Sequence, residues 1–295
     1  MREWFGLRIA EVSDPAEVTA AHVEQAHIVR LAGVDKAPEG FLARPEELTW
    51  IAENPAGLDS FVRQQSKRQR QRTRHALQAA AGLQVRVWPP GRARHFDQWL
   101  PLYQQQIAAM SYGVDMATRD REEIADPAGG HTMLTVHRGD ELLGGCVCYD
   151  QPELEIFRVR FCALRPELRL QDLPRVLYAH AAQVGYELGR ARFTLGSDPN
   201  LYGHMTKPGL CAYKTRLGFR PVATHDLEPD EGTVRVERLT GLEGLDRPVL
   251  VYCYEAETGP GAPLRLHGFG PAGERAQHHA TYGWMVEEWH DIERI

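Results

Sequence analysis

Between residues 198 and 214 the chain gathers Asp198, Asn200, Tyr202, His204, Lys207, Tyr213 and Lys214. A general base needs hydrogen-bond reach and a suitable pKa, so Asp198 or His204 can take a proton from an attacking nucleophile such as an amine. Asn200, Tyr202 and Lys207 are candidates to hold the substrate; the competing interpretation is a capped surface turn. Glu155, near the start of an upstream strand, is a rival base, and Arg160 in that strand is a further substrate-binding candidate. Lys214 is either a solvated helix residue or a cation facing the chemistry, and Tyr213 either a core residue or its neighbour in the site.

The elements that position these groups read as strand, loop, helix and stop. Ala191 to Leu195 is a short β-prone run, and Gly196-Ser197-Asp198-Pro199-Asn200 ends it, because Gly and an Asp-Pro pair favour turns. Thr206 is placed to cap a helix with an early Pro208, and that helix is expected to close at Gly218. Loops at the carboxyl end of a strand are where α/β proteins place chemistry.

A second chemical feature is basic. A long helix is expected from Leu58 to about Ala81, and its middle, Arg63 to His75, is basic on every face, with Lys67, Arg68, Arg70, Arg72 and Arg74. A helix polar all round is bridging, solvated or bound to something. An anionic partner, phosphate above all, is the corresponding chemistry.

Upstream, Leu7 to Val12 reads as a strand and Pro15 to Leu31 as a helix capped by Asp14. Residues 1–56 are therefore expected to form an N-terminal cap or degenerate half-domain. Downstream of the basic segment, Val85 to Trp88 reads as a strand and His95 to Met110 as an amphipathic helix, with Phe96, Trp99, Tyr103 and Ile107 three and four apart. Thr118 to Glu123 opens a shorter helix. Met133 to His137 and Leu142 to Tyr149 form a hairpin around Arg138-Gly139-Asp140-Glu141. Leu154 to Leu164 is a central strand, and Leu173 to Gly189 a helix. Val249 to Tyr254 is the last convincing strand, and residues 257–295 are expected to be a tail that docks through Tyr282, Trp284, Met285 and Trp289.

At 295 residues the chain can build one large core or two small ones. Its 43% hydrophobic and 25% charged residues are ordinary for a globular protein. No apolar run approaches the ~18–20 residues of a membrane span. The start, Met-Arg-Glu-Trp-Phe-Gly, lacks the pattern of a signal peptide, so a cytoplasmic location is expected. The 5 cysteines show no paired CxxC spacing and read as reduced core residues, and no metal is expected from the scattered histidines.

The order of these elements, together with Leu143-Gly144-Gly145 in the hairpin and Tyr213-Lys214-Thr215-Arg216-Leu217-Gly218-Phe219-Arg220-Pro221, resembles the GNAT acyltransferase superfamily. It is similar above all to the branch of BioF2-like and Fem-type transferases, through the basic helix followed by a strand, Val184-Gly185-Tyr186-Glu187-Leu188-Gly189, and the Lys-x-x-x-Gly-Phe ending. The resemblance covers roughly two thirds of the chain. It implies an α/β (α+β) fold with a mixed, mostly antiparallel sheet flanked by helices over residues 57–256. It implies an amide-forming N-acyltransferase that uses an acyl-CoA or acyl-carrier-protein thioester as co-substrate and an amine-bearing small molecule or peptide as acceptor. The pantetheine would pair with the backbone of Val159 to Ala163, and Lys214 would stabilise the tetrahedral oxyanion. One such donor contributes on the order of 3 kcal/mol.

Two departures matter. Ordinary GNAT enzymes bind the CoA pyrophosphate with a Gly-rich turn, whereas Arg165 to Pro174 here contains no glycine, and Glu167 and Asp172 would repel phosphate. Many relatives place Tyr where this chain has Lys214. Donors carried on a protein or on tRNA gain weight, with aminoacyl-tRNA-dependent transfer as the alternative enzyme and an RNA- or protein-binding scaffold as the non-catalytic one. Oligomeric state is not legible.

Overall fold

The computed structural model describes residues 1–34, 36–169, 172–255 and 258–292. In chain order the first third holds β1 (Arg2–Trp4), β2 (Leu7–Val12), α1 (Ala20–Gln25), β3 (Ile28–Leu31), β4 (Leu42–Pro45), β5 (Glu47–Glu53), α2 (Gly57–Arg63), α3 (Lys67–Ala79) and β6 (Gln84–Trp88). The middle holds α4 (Ala93–Ala108), α5 (Met116–Arg119), α6 (Arg121–Ala125), β7 (His131–Arg138), β8 (Glu141–Gln151), β9 (Ile156–Leu164), α7 (Pro166–Arg169), α8 (Leu173–Glu187) and β10 (Arg192–Pro199). The last third holds α9 (Pro208–Arg216), β11 (Arg220–Ala223), β12 (Val234–Leu239), β13 (Val249–Tyr254), β14 (Leu264–Gly270), α10 (Arg275–Tyr282) and β15 (Glu288–Asp291).

The chain divides into two compact units. One comprises Met1–Thr49, Ser197–Tyr213 and Pro221–Ile295, the other Trp50–Gly196 and Lys214–Arg220. This corrects the expected partition into 1–56, 57–256 and 257–295. The N-terminal strands do not form a separate cap, because β12 pairs antiparallel with both β3 and β4 inside a sheet of order β1-β2-β3-β12-β4. The C-terminal segment is no wandering tail either. β14 pairs antiparallel along the whole of β13, and β15 joins β14 in parallel. Leu7, Ile9 and Ile28 share one apolar cluster of this first unit with Val249, Val251 and Phe269.

The helix expected over Pro15 to Leu31 is broken. Asp14 caps, as expected, but only a single 3₁₀ turn over Pro15–Glu17. Thr19 then caps the short α1 through a reciprocal box with His22, and Ala26 is extended. Ile28 to Leu31 are all buried and pair in parallel with β2, so the apolar run that suggests a helix face is an interior strand.

The second unit carries most of a sheet of order β11-β5-β10-β9-β8-β7-β6. Its β6, β7, β8 and β9 are successively antiparallel, and β9 and β10 are parallel. This is the mixed, mostly antiparallel sheet flanked by helices that the sequence leads one to expect, with β9 at its centre. The apolar stripe of α4 buries Phe96, Trp99 and Tyr103 against Met133, Val147 and Ala163. Helix α8 lies close on β9, since a Cβ added at Gly185 would stand 2.7 Å from the Phe157 Cβ. Only glycine permits that approach. No helix among the described residues is long and apolar enough to cross a membrane.

Candidate active site

In the second unit the parallel ladder between β9 and β10 is short. It pairs Arg192 with Ile156, Phe193 with Phe157 and Thr194 with Arg158, and then stops, although β9 runs on to Leu164. Past that point, from Val159 to Ala163, no β9–β10 pairing is made among the described residues. The register between β8 and β9 also shifts at Val147/Cys148, leaving Arg160 as the extra residue of a bulge. Bulges re-aim side chains and recur beside active sites. Gln106 on α4 donates to the Cys162 carbonyl at 3.1 Å.

Lys214 sits at this break. It is 5% exposed. Its Nζ donates to the carbonyl of Leu195, the first β10 residue past the last pair, at 3.1 Å. It also lies 5.8 Å from the centroid of the Trp50 ring. A buried ammonium is stable only with such partners, and an aromatic face supplies part of the compensation. The reach is set by the helix end. The Phe219 amide bonds the Lys214 carbonyl and the Gly218 amide the Thr215 carbonyl, a 6→1 and 5→2 pair with Gly218 at φ +89°. A Cβ at Gly218 would also meet the Gln64 carbonyl at 2.6 Å. The stop at Gly218 is thus as expected, while the Thr206 hydroxyl donates to the Pro199 carbonyl. Tyr213 is half-buried on the same helix. Glu155 is exposed in the left-handed region at φ +53°, before β9 begins. It precedes Val159 by four residues, about 13 Å along a strand, and is not brought to Lys214.

The remaining loop candidates belong to the first unit. Asp198 is buried and accepts from the Tyr202 hydroxyl at 3.1 Å. Asn200 is committed to structure: its amide donates to the Pro45 and Tyr252 carbonyls, and its oxygen accepts from the Tyr252 amide. Tyr202 is fully buried and its backbone pairs with Leu250. His204 bonds the Phe5 carbonyl through Nε2 at 2.7 Å. A carbonyl only accepts, so Nε2 carries the proton and Nδ1 is the basic atom. Burial lowers the His204 pKa, against the raising effect of that bond, which favours neutral imidazole. Lys207 is exposed and paired with Asp246.

The basic helix is two helices, α2 and α3, interrupted at residues 64–66. It is not solvated all round. Gln69, Thr73 and Ala76 are buried, and buried Arg175 of α8 donates to Gln69 Oε1 at 2.6 Å and to the Thr73 hydroxyl at 3.3 Å. Lys67, Arg68 and Arg74 are exposed, Arg70 bonds the Arg63 and Gln65 carbonyls, and Arg72 pairs with Asp172. That carboxylate, which precedes α8, also accepts from Arg175 at 3.2 Å. Leu170 and Gln171 of the glycine-free segment lie outside the described residues. Arg160 is held by Asp120 at 2.8 Å, Glu123 at 3.1 Å and His131 at 3.0 Å.

Sequence reasoning missed a buried ion triad. Arg30 of β3 and Arg44 of β4 share Glu237 of β12 at 2.6 and 2.7 Å. Burial pushes the Glu237 carboxyl up, but Arg44 and Arg30 outweigh it and hold it low. The available signal was an arginine inside each of two otherwise apolar runs, Ile28 to Leu31 and Leu42 to Pro45. It missed, too, that His267, Glu288 and His290 bring potential ligand atoms within 4.8 Å of one another. The two imidazoles are hydrogen-bonded to each other at 2.8 Å.

No family model matches the sequence, and no curated protein matches it either. Among solved structures, FemX is 12% identical over 67% of this chain and 64% of that chain, with a TM-score of 0.49. L-PGS from Bacillus licheniformis is 13% identical over 72% of this chain and 67% of that chain, with a TM-score of 0.43. An aminoglycoside acetyltransferase from an uncultured soil metagenomic sample is 13% identical over 46% of this chain and 87% of that chain, with a TM-score of 0.35. The match thus spans less than two thirds of FemX, and at these identities and scores it says nothing about the reaction of this chain.

Proposed function

We propose that the chain is an N-acyltransferase that moves an acyl group from a thioester to an amine. The observation that carries this reading is the parallel β9–β10 pair that lets go after Arg158 and Thr194, with the buried Lys214 ammonium held at Leu195. A strand edge released from its neighbour offers backbone groups to an extended ligand, and Val159 to Ala163 would seat the pantetheine arm of the donor. The amine attacks the thioester carbonyl, and the electrons of the C=O bond collect on oxygen. As that oxyanion collapses, the C–S bond breaks, the thiolate leaves and an amide remains. Lys214 acts on the oxyanion through its charge, which is strong in a site that excludes water. The amine's proton passes to a base.

The test is amide formation with acyl-CoA and acyl-carrier-protein thioesters and a panel of amines, read by mass spectrometry. Turnover with a thioester is expected, and none with any donor of either kind would contradict the reading. One observation favours a second donor class. Lys67, Arg68 and Arg74 leave a cationic face of α3 open to solvent, as binding to the acceptor stem of a charged tRNA would use. In that case activity is abolished by RNase, and thioesters are inert.

A further inference from the structure

A cavity of about 100 Å³ in the first unit is lined at once by cationic and anionic side chains. It is several times the ~10–15 Å³ that one water needs, so it admits a molecule of several heavy atoms. Arg30 and Arg44 of the triad face it, two buried guanidiniums with one carboxylate between them. Buried charge demands compensation, and this cluster carries one positive charge in excess. Arg2, an exposed residue of β1, lines the same cavity, and its side chain makes no hydrogen bond or ion pair among the described residues. The Arg44 guanidinium also donates to the Asn200 carbonyl at 3.2 Å, but a carbonyl carries no net charge, so this side of the cavity keeps an excess of positive charge.

On the anionic side one carboxylate is paired and one is not. Glu46 is neutralised by Arg235, which donates to both its oxygens at 2.9 and 3.0 Å. Glu47 is not: among the described residues its side chain has no hydrogen-bond or ion-pair partner. Burial pushes its carboxyl up first, and the negative charges of Glu231, Glu46 and Asp198 push it further. An ammonium beside it would relieve what these neighbours impose. A plain anion would meet Glu46 and Glu47, and a plain cation would meet the arginines. Trp4 and Leu201 supply apolar wall.

We infer that this cavity binds a small zwitterion, a free amino acid of the size of glycine or alanine, with its carboxylate toward Arg2, Arg30 and Arg44 and its ammonium toward Glu47. Such a ligand belongs to the amine class of the proposed reaction. Its role as acceptor rests on that reading, whereas its binding does not.

The experiment is isothermal titration of the full chain, without any acyl donor, with glycine, alanine, acetate and methylamine. Glycine or alanine is expected to bind at least tenfold more tightly than either half-molecule. Glu47→Gln is expected to lose about tenfold, Glu47→Asp to retain most of the affinity, and Arg2→Gln to lose about tenfold, each with a native circular dichroism spectrum and a cooperative thermal melt as the control for folding. Acetate binding as tightly as glycine, or glycine giving no heat, would overturn the assignment. Because no donor is present, failure here leaves acyl transfer standing, and failure of acyl transfer leaves the binding result standing.

Discussion

Glu237 is the residue on which two buried cations depend. Removing one member of a buried ion cluster leaves charge without a partner, so Glu237→Gln is expected to cost about 3–5 kcal/mol in urea denaturation. A shift in midpoint equivalent to less than 1 kcal/mol would show that the arginines find water or another carboxylate. Glu47 behaves in the opposite sense. Its carboxyl is raised, so ionisation opposes folding above the unfolded value, and stability declines as pH rises through the folded one. Glu47→Gln should therefore raise the melting temperature at pH 7, and the gain should vanish at acid pH, where Glu47 is protonated. An equal gain at both pH values would point to packing instead. Neither residue was legible in the sequence. Arg30 and Glu237 stand 207 positions apart, and a charge in an apolar run gives no address for its partner.

Elements with local signals were legible, and those with distant partners were not. Helix α4 follows from Phe96, Trp99 and Tyr103 at three and four spacings, and the β7–β8 hairpin from period-two runs around Arg138-Gly139-Asp140-Glu141. Helix α9 closes at Gly218 because only its left-handed backbone completes the terminal bonds. The short β3 and the C-terminal β14 and β15 were missed, since their pairing, parallel to β2 and along β13, is set by tertiary contact and not by their own pattern. The basic segment reads as polar on every face because Gln69 and Thr73 are polar; their buried partner, Arg175, lies over a hundred positions away. At this scale Gly185 is the contact that seats α8 on β9. Gly185→Ala forces a methyl against Phe157 and is expected to cost about 1–3 kcal/mol by overpacking, read from chemical denaturation. A neutral effect would mean that the helix shifts freely.

For the whole molecule, burial lowers the pKa of His27, His131, His204 and His267 from the ordinary 6.5. The unfolded chain then takes up protons before the folded one as pH falls. Stability from these groups is complete above about 6.5 and declines as pH drops through that value toward the folded ones. Thermal melts between pH 7.5 and 5 should show this loss, and a melting temperature rising steadily over that range would contradict it. The legible part of the candidate site was its helix and strand, including Lys214 and the Val159 to Ala163 edge. The division of the chain into two interleaved units was not, because β5 and β10 each run from one unit into the other. Lys214 bears most of the proposed chemistry. The direct measurement is the rate of amide formation by Lys214→Ala beside the unaltered chain, on whichever donor supports turnover, with circular dichroism to confirm an intact fold. A fall in kcat of roughly 10²–10³ is expected from the loss of one charge on the oxyanion, and an undiminished rate would contradict the account.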